Sequence, residues 1–196
     1  MTDYEFDLVR GFYQRIPDDR RQPVLPALDL EALSPFVRAL VTIDGSVTRY
    51  LETYAWEPIK VVVVEHGEQT GDDGSRILRR VVAMRGLRSS LRYAAAVTEM
   101  PLALMPEEFR PLLADAARGV GQVINQLQLD THRRIRSLRR ERCEHRASLL
   151  ALPAEAPVLV REYEIKRDQR AFAFIREVFP EERLTELGRR VPGAAP

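Results

Sequence analysis

Two strand-like segments carry charge where apolar residues dominate. Arg79 and Arg80 interrupt the run Ile77-Leu78-Arg79-Arg80-Val81-Val82-Ala83-Met84. Successive side chains of a strand point to opposite faces, so one of these arginines must face inward. Glu177 is equally out of place among the aromatic and aliphatic residues of 172–179. Neither charge is stable alone in an apolar interior. A buried arginine and a buried carboxylate on neighbouring strands therefore make either a structural ion pair or a clamp for a charged ligand. As a clamp, the guanidinium fork would grip a carboxylate through two parallel hydrogen bonds.

Other candidates are weaker. Residues 133–146 hold seven arginines in fourteen positions, but Glu141 and Glu144 are interspersed and no aromatic residue is interleaved. That run reads as a solvated helix or loop face rather than a phosphate-contacting surface, with room for one arginine to face a ligand. His66, His132 and His145 fall in three different predicted elements and form no metal-ligand spacing, so no metal is expected. Cys143 has arginine neighbours but no His–Asn partner pattern, and reads as structural. Ser46 lies in a D-G-S turn, not in the G-x-S-x-G elbow of a hydrolase. Gly119 and Gly121 lack the Lys-Ser/Thr of a phosphate loop and read as a helix break that brings backbone N–H groups near something.

The elements that must position these residues follow from periodicity and punctuation. Residues 4–15 suit a short amphipathic helix, and Pro17, Pro23 and Pro26 make 16–28 an extended arm. Residues 30–40 look helical, with Pro35 limiting where the helix begins, and Ser46 is placed to cap a helix over 47–54. The β-branched run 59–64, then 77–84 and 89–98, predict three consecutive antiparallel strands, with 67–74 as a hairpin loop. Residues 106–117 and 122–129 have helical spacing. Three further strands are expected over 148–152, 158–165 and 171–179, then a terminal helix over 181–190 and a frayed tail over 192–196. The expected fold is α+β: a six-stranded antiparallel sheet whose connecting helices cover one face and enclose a pocket.

Composition bounds the function. The chain has 196 residues, enough for one domain over 1–196 with a real core. Lys plus Arg total 30 against 29 Asp plus Glu, so no bulk field attracts nucleic acid or an anionic membrane. Only two of the 30 cations are lysines, a preference that reads as genome composition. No apolar run is long enough to span a bilayer, and the first residues lack a signal core. The expectation is a cytoplasmic, metal-free domain, a monomer or homodimer, with neither nucleic acid nor membrane as partner.

Five motifs in order resemble the chorismate pyruvate-lyase-like proteins of the 4-hydroxybenzoate synthase type. Asp44-Gly45-Ser46-Val47-Thr48-Arg49-Tyr50-Leu51-Glu52 is similar to that family's D-G-S-x-T-R-x-L-E opening. Arg79 through Met84 resembles its R-x-V-x-L strand, and Arg118-Gly119-Val120-Gly121 its P-L-G or P-I-G helix break. Arg161-Glu162-Tyr163-Glu164-Ile165 and Arg176-Glu177-Val178-Phe179-Pro180 resemble the closing R-x-Y-x-I and T-E-x-F-P strands. The matches span about residues 40–180. The resemblance implies a cofactor-free lyase that eliminates pyruvate from chorismate to give 4-hydroxybenzoate, in aromatic or secondary metabolism. It implies that Arg80 or Arg79 binds the ring carboxylate, assisted by the N–H groups of Val47 and Val120. It sets Glu177 near the ring's 4-hydroxyl, and puts the motif residues Thr48 and Arg161 among the substrate-binding positions. Two positions depart from the pattern: Arg176 stands where threonine is usual, and Gly119 where proline is common. Two other readings stand beside the lyase. One is a related fold recruited to elimination or cyclisation on another small carboxylic acid. The other is a non-catalytic domain that binds a small-acid effector.

Overall fold

Ser34 and Pro35 decide where the first helix begins. In the computed structural model, which describes residues 28–70, 74–114, 118–143 and 147–189, helix α1 spans Pro35–Thr42. Pro35 takes the first helical position, where its missing N–H costs nothing, and the Ser34 hydroxyl accepts from Val37 N–H at 3.4 Å. The start is thus five residues later than the expected 30. Helix α2 (Val47–Ala55) is capped by Ser46, whose Oγ accepts from Arg49 N–H at 3.3 Å.

Three strands follow: β1 (Ile59–Thr70), β2 (Arg76–Gly86) and β3 (Arg92–Pro101). β1 runs on through part of the expected hairpin loop, pairing as far as Thr70 with Arg76. Two short helices, α3 (Phe109–Ala114) and α4 (Val120–Gln126), lead into β4 (His132–Arg142). A single helical turn, α5 (Ala147–Leu150), precedes β5 (Pro157–Arg167), β6 (Arg170–Pro180) and α6 (Glu181–Arg189). All neighbours are antiparallel, in the order β1-β2-β3-β6-β5-β4. The expected arm and N-terminal helix before residue 28 and the tail after 189 lie outside the described residues. Among the described residues no helix is long and apolar enough to cross a membrane.

One strand assignment is corrected. The arginine-rich run is not a solvated helix or loop but the edge strand β4, and residues 148–152 belong to α5 and the turn after it. The run alternates in burial with period two, broken by a bulge between Ile135 and Ser137. Ile135 and Leu138 pack on the core, while Arg134, Arg136, Arg140 and Arg142 occupy exposed positions. Arginines along an edge also discourage pairing with another chain.

The core lies on one face of the sheet in two parts. Helices α1, α2 and α6 cover Met84, Ala94, Leu159 and Phe179. Helices α3 and α4 cover Leu78, Met100, Ile165 and Ile175. The other face carries a smaller cluster, in which Cys143 and Leu150 pack on Ala95, Val158, Val160 and Val178. Outside it, that face is tied by ion pairs. Arg139 grips Glu162 through two contacts of 2.8 Å, and Arg176 bridges Glu162 at 2.9 Å and Glu141 at 2.5 Å.

Candidate functional site

Between the two helical groups a strip of sheet is left for a cavity. Cross-strand pairing sets two rows side by side on the helix-covered face. One row runs Arg80, Thr98, Ile175, Tyr163, and the next runs Val82, Ala96, Glu177, Arg161. The rims are the turn before α2, residues 45–48, and the start of α4, residues 119–122. Together these elements bound about 640 Å³ of empty space, part of it open to solvent. Val61, Val82, Met84 and Ile165 make much of the wall apolar.

Glu177 is held in the floor by three donors. Its Oε2 accepts from Arg161 Nε at 2.9 Å and Nη2 at 2.6 Å, and its Oε1 accepts from the Tyr163 hydroxyl at 3.1 Å. Arg161 also donates through Nη1 to the carbonyls of Leu40, Val41 and Ile43 at 3.3, 3.4 and 3.0 Å. Those carbonyls close the C-terminal end of α1, which has no intrahelical donors left for them. The Arg161 guanidinium lies 4.9 Å from the Tyr163 ring centre and 6.0 Å from that of Phe179. Burial alone would lower the Arg161 pKa, but the charge of Glu177 and its hydrogen bonds raise it overall. Burial pushes the Tyr163 hydroxyl well above the ordinary tyrosine range, reinforced by Glu177 and opposed by Arg161 and Arg133. Tyr163 is therefore a fixed hydrogen-bond donor at neutral pH.

The face alternation separates the two arginines of β2. Arg80 lines the cavity and is 1% exposed. Its cross-strand neighbour His66 has a lowered pKa, from burial first and then from the Arg80 charge. Arg79 is on the opposite face, paired with Glu65 and, at 3.5 Å, with Glu99. It does not line the cavity. Arg161 does not line the cavity either; it lies under the floor and holds Glu177. Val47, Thr48 and Val120 stand on the rims, Val47 and Val120 being the first residues of their helices. The Gln122 side chain steadies the second rim by accepting from Gly119 N–H at 2.9 Å.

Four polar lining residues were not singled out from sequence: Thr98, Gln122, Arg133 and Tyr163. Tyr163 was visible inside the R-x-Y-x-I strand two positions from Arg161, the spacing that puts both on one face. Arg133 was hidden in a run read as solvated.

A family model described as "Chorismate pyruvate-lyase Rv2949c-like" matches residues 41–187. The chain belongs to that family. The match holds both cavity rims, Arg80 and Glu177. No match is found among curated proteins. Among solved structures, PhnF from Mycobacterium smegmatis is similar with a TM-score of 0.59 and 17% identity, over 72% of this chain and 66% of that one. The chain thus spans just under two thirds of PhnF. The effector domain of PhnF alone gives a TM-score of 0.56 at 18% identity, over 71% of this chain and 90% of that domain. The C-terminal domain of the histidine utilization repressor from Pseudomonas syringae gives 0.51 at 12% identity, over 70% and 99%. These likenesses are of fold. The two departures from the family pattern have local explanations. Arg176 points away from the cavity into the ion pairs with Glu141 and Glu162. Gly119 caps α4, and a Cβ there would meet only the Gln122 and Val61 side chains, at 3.8 and 3.9 Å.

Proposed function

We propose that this member of the family is a cofactor-free lyase that eliminates pyruvate from chorismate and leaves 4-hydroxybenzoate. The observation that carries the reading is the shared cavity of Arg80 and Glu177, two opposite charges on one sheet face under an apolar wall. Chorismate carries two carboxylates, and the ring carboxylate suits the Arg80 guanidinium. The N–H groups of Val47 and Val120 at the rims are suited to complete its coordination. The elimination breaks the C3–O ether bond and the C4–H bond. The electron pair of the C4–H bond aromatises the ring, and the C4 proton ends on the methylene carbon of the departing enolpyruvate, which becomes pyruvate. Aromatisation supplies the driving force, so the protein's task is orientation, exclusion of water and a fixed negative charge beside C4. Glu177 fits that task because Arg161 and Tyr163 fix its carboxylate before any ligand arrives.

The same fixation favours a second reading, in which the cavity binds a small acid without converting it. A carboxylate already held in place by three donors is a good recognition group for a ligand. The structural neighbours include effector domains of regulators, PhnF among them, which suits this alternative.

The experiment mixes purified protein with chorismate, without added metal, and quantifies pyruvate and ring products by chromatography with mass detection. Matched pyruvate and 4-hydroxybenzoate above the spontaneous background is the expected result. Binding of chorismate without turnover would favour the effector reading, and a different hydroxybenzoate would change the regiochemistry.

A further inference from the structure

Arg133 reaches the cavity from the far edge of the sheet. It lies on β4, four strand positions from the β2 of Arg80, so the two backbones are roughly 19 Å apart in a flat sheet at about 4.8 Å per strand. Both long side chains line the same cavity from opposite ends. The Arg133 side chain is only 17% exposed. Its Nε is buried and makes no hydrogen bond among the described residues. Its Nη1 is 3.9 Å from Asp44, a carboxylate that is 64% exposed. Its Nη2 is 3.9 Å from where a Cβ on Gly121 would stand, so the guanidinium lies beside the glycine rim.

A guanidinium so largely withdrawn from water and so lightly engaged is poorly compensated by the protein. A ligand anion in the cavity would supply what is missing. Resting on the reading of this cavity as a carboxylate site, we infer that Arg133 receives a second carboxylate and selects doubly charged ligands over singly charged ones. The cavity then has two ends, each with an arginine, and Glu177 between them on β6. The ligand class is a compact ring acid carrying an additional carboxylate on a short ether arm. A monocarboxylate such as a hydroxybenzoate fills only the Arg80 end, which also favours release of a product that has lost its second charge.

The test uses two inert probes that differ only in the second carboxylate, 3-(carboxymethoxy)benzoate and 3-ethoxybenzoate. Their affinities for the wild-type protein, Arg133→Gln and Arg133→Lys are measured by titration calorimetry, with thermal melting as the check of folding. The wild type is expected to prefer the dianion by at least about tenfold. Arg133→Gln should bring that preference to within about threefold while leaving the monoanion affinity within about threefold. Arg133→Lys, which keeps the charge and loses the fork, should fall between them. Equal loss for both probes in Arg133→Gln, no dianion preference in the wild type, or no binding of either probe would each overturn the inference. A wild type that prefers the dianion but fails to turn over chorismate would leave Arg133's role standing and overturn the lyase reading alone.

Discussion

Arg161 and Glu177 face each other across β5 and β6, and both nitrogens of the Arg161 fork close on one oxygen, Glu177 Oε2. That leaves Oε1 to Tyr163 and to whatever enters the cavity. Under the proposed function the pair is structural and functional at once. It ties the C-terminus of α1 to the sheet, and it presets the one carboxylate of the cavity floor.

Removing one partner should therefore cost stability as well as activity. Glu177→Gln is expected to lower turnover of chorismate by at least about tenfold. It should also lower the unfolding free energy, because Arg161 would keep its charge without a counter-ion; breaking such a buried pair costs roughly 3–5 kcal/mol. Arg161→Met removes both donors to Glu177 Oε2 and the one shared by three carbonyls, and should destabilise at least as much. Urea unfolding beside steady-state kinetics checks both. Unchanged turnover in a folded Glu177→Gln protein would remove Glu177 from the mechanism.

The two arginines of β2 give a paired control. Arg80→Ala should weaken binding of a carboxylate ligand by roughly 2–5 kcal/mol, as when one member of a buried charge pair is removed. Arg79→Ala should leave ligand affinity unchanged, since its partners Glu65 and Glu99 are on the other face and about half exposed. Such pairs contribute about 0–1 kcal/mol. Titration calorimetry with 4-hydroxybenzoate separates them, and a reversed result would put the register of β2 off by one.

Much of this was legible in the residues. The charged positions of β2 and β6 stood out against apolar neighbours, and β-branched runs and proline punctuation gave the sheet's first half. What failed was the assignment of β4. An edge strand that meets solvent on one side has its apolar positions reduced to Ile135 and Leu138, and the bulge between Ile135 and Ser137 breaks even that alternation. The arginines there find partners such as Glu162 and Glu164 on β5 and Glu181 on α6, all distant in sequence. Local pattern cannot contain that compensation. The same loss hid Arg133, while the choice between Arg79 and Arg80 needed the register of β2 against β3, which no single strand carries.

Tyr163→Phe isolates the second donor to Glu177. The ring stays to pack beneath Arg161, and only the hydroxyl at 3.1 Å from Oε1 is lost. A hydrogen bond to a charged group is worth about 1.5–3 kcal/mol. If the hydroxyl positions Glu177 for the reaction, most of that should appear as a lower kcat with KM little changed. A loss confined to thermal stability would make Tyr163 a packing residue.

Glu57, outside the cavity, should set the acid limit of the fold. It is buried, and burial by itself would raise its pKa. The Ser89 hydroxyl and N–H, the Tyr93 hydroxyl and the Arg88 N–H outweigh that and hold it at about 2. These bonds, at 2.5, 3.0, 2.7 and 2.8 Å, fasten the turn between β2 and β3 to the end of α2. Because the folded pKa lies below the ordinary 4.5, the unfolded chain binds the proton first as pH falls. Its contribution is complete above about pH 5 and is lost as pH drops toward about 2. Urea midpoints measured across that interval should fall with pH in the wild type and much less in Glu57→Gln, which is weaker at neutral pH. Gly86→Ala tests the same lock from the other side, since a Cβ there would overlap the Glu57 carboxylate. It should destabilise at neutral pH and, by displacing that carboxylate from its donors, also flatten the acid slope. A Gly86→Ala protein that keeps the full wild-type slope would mean that another carboxylate carries the acid transition.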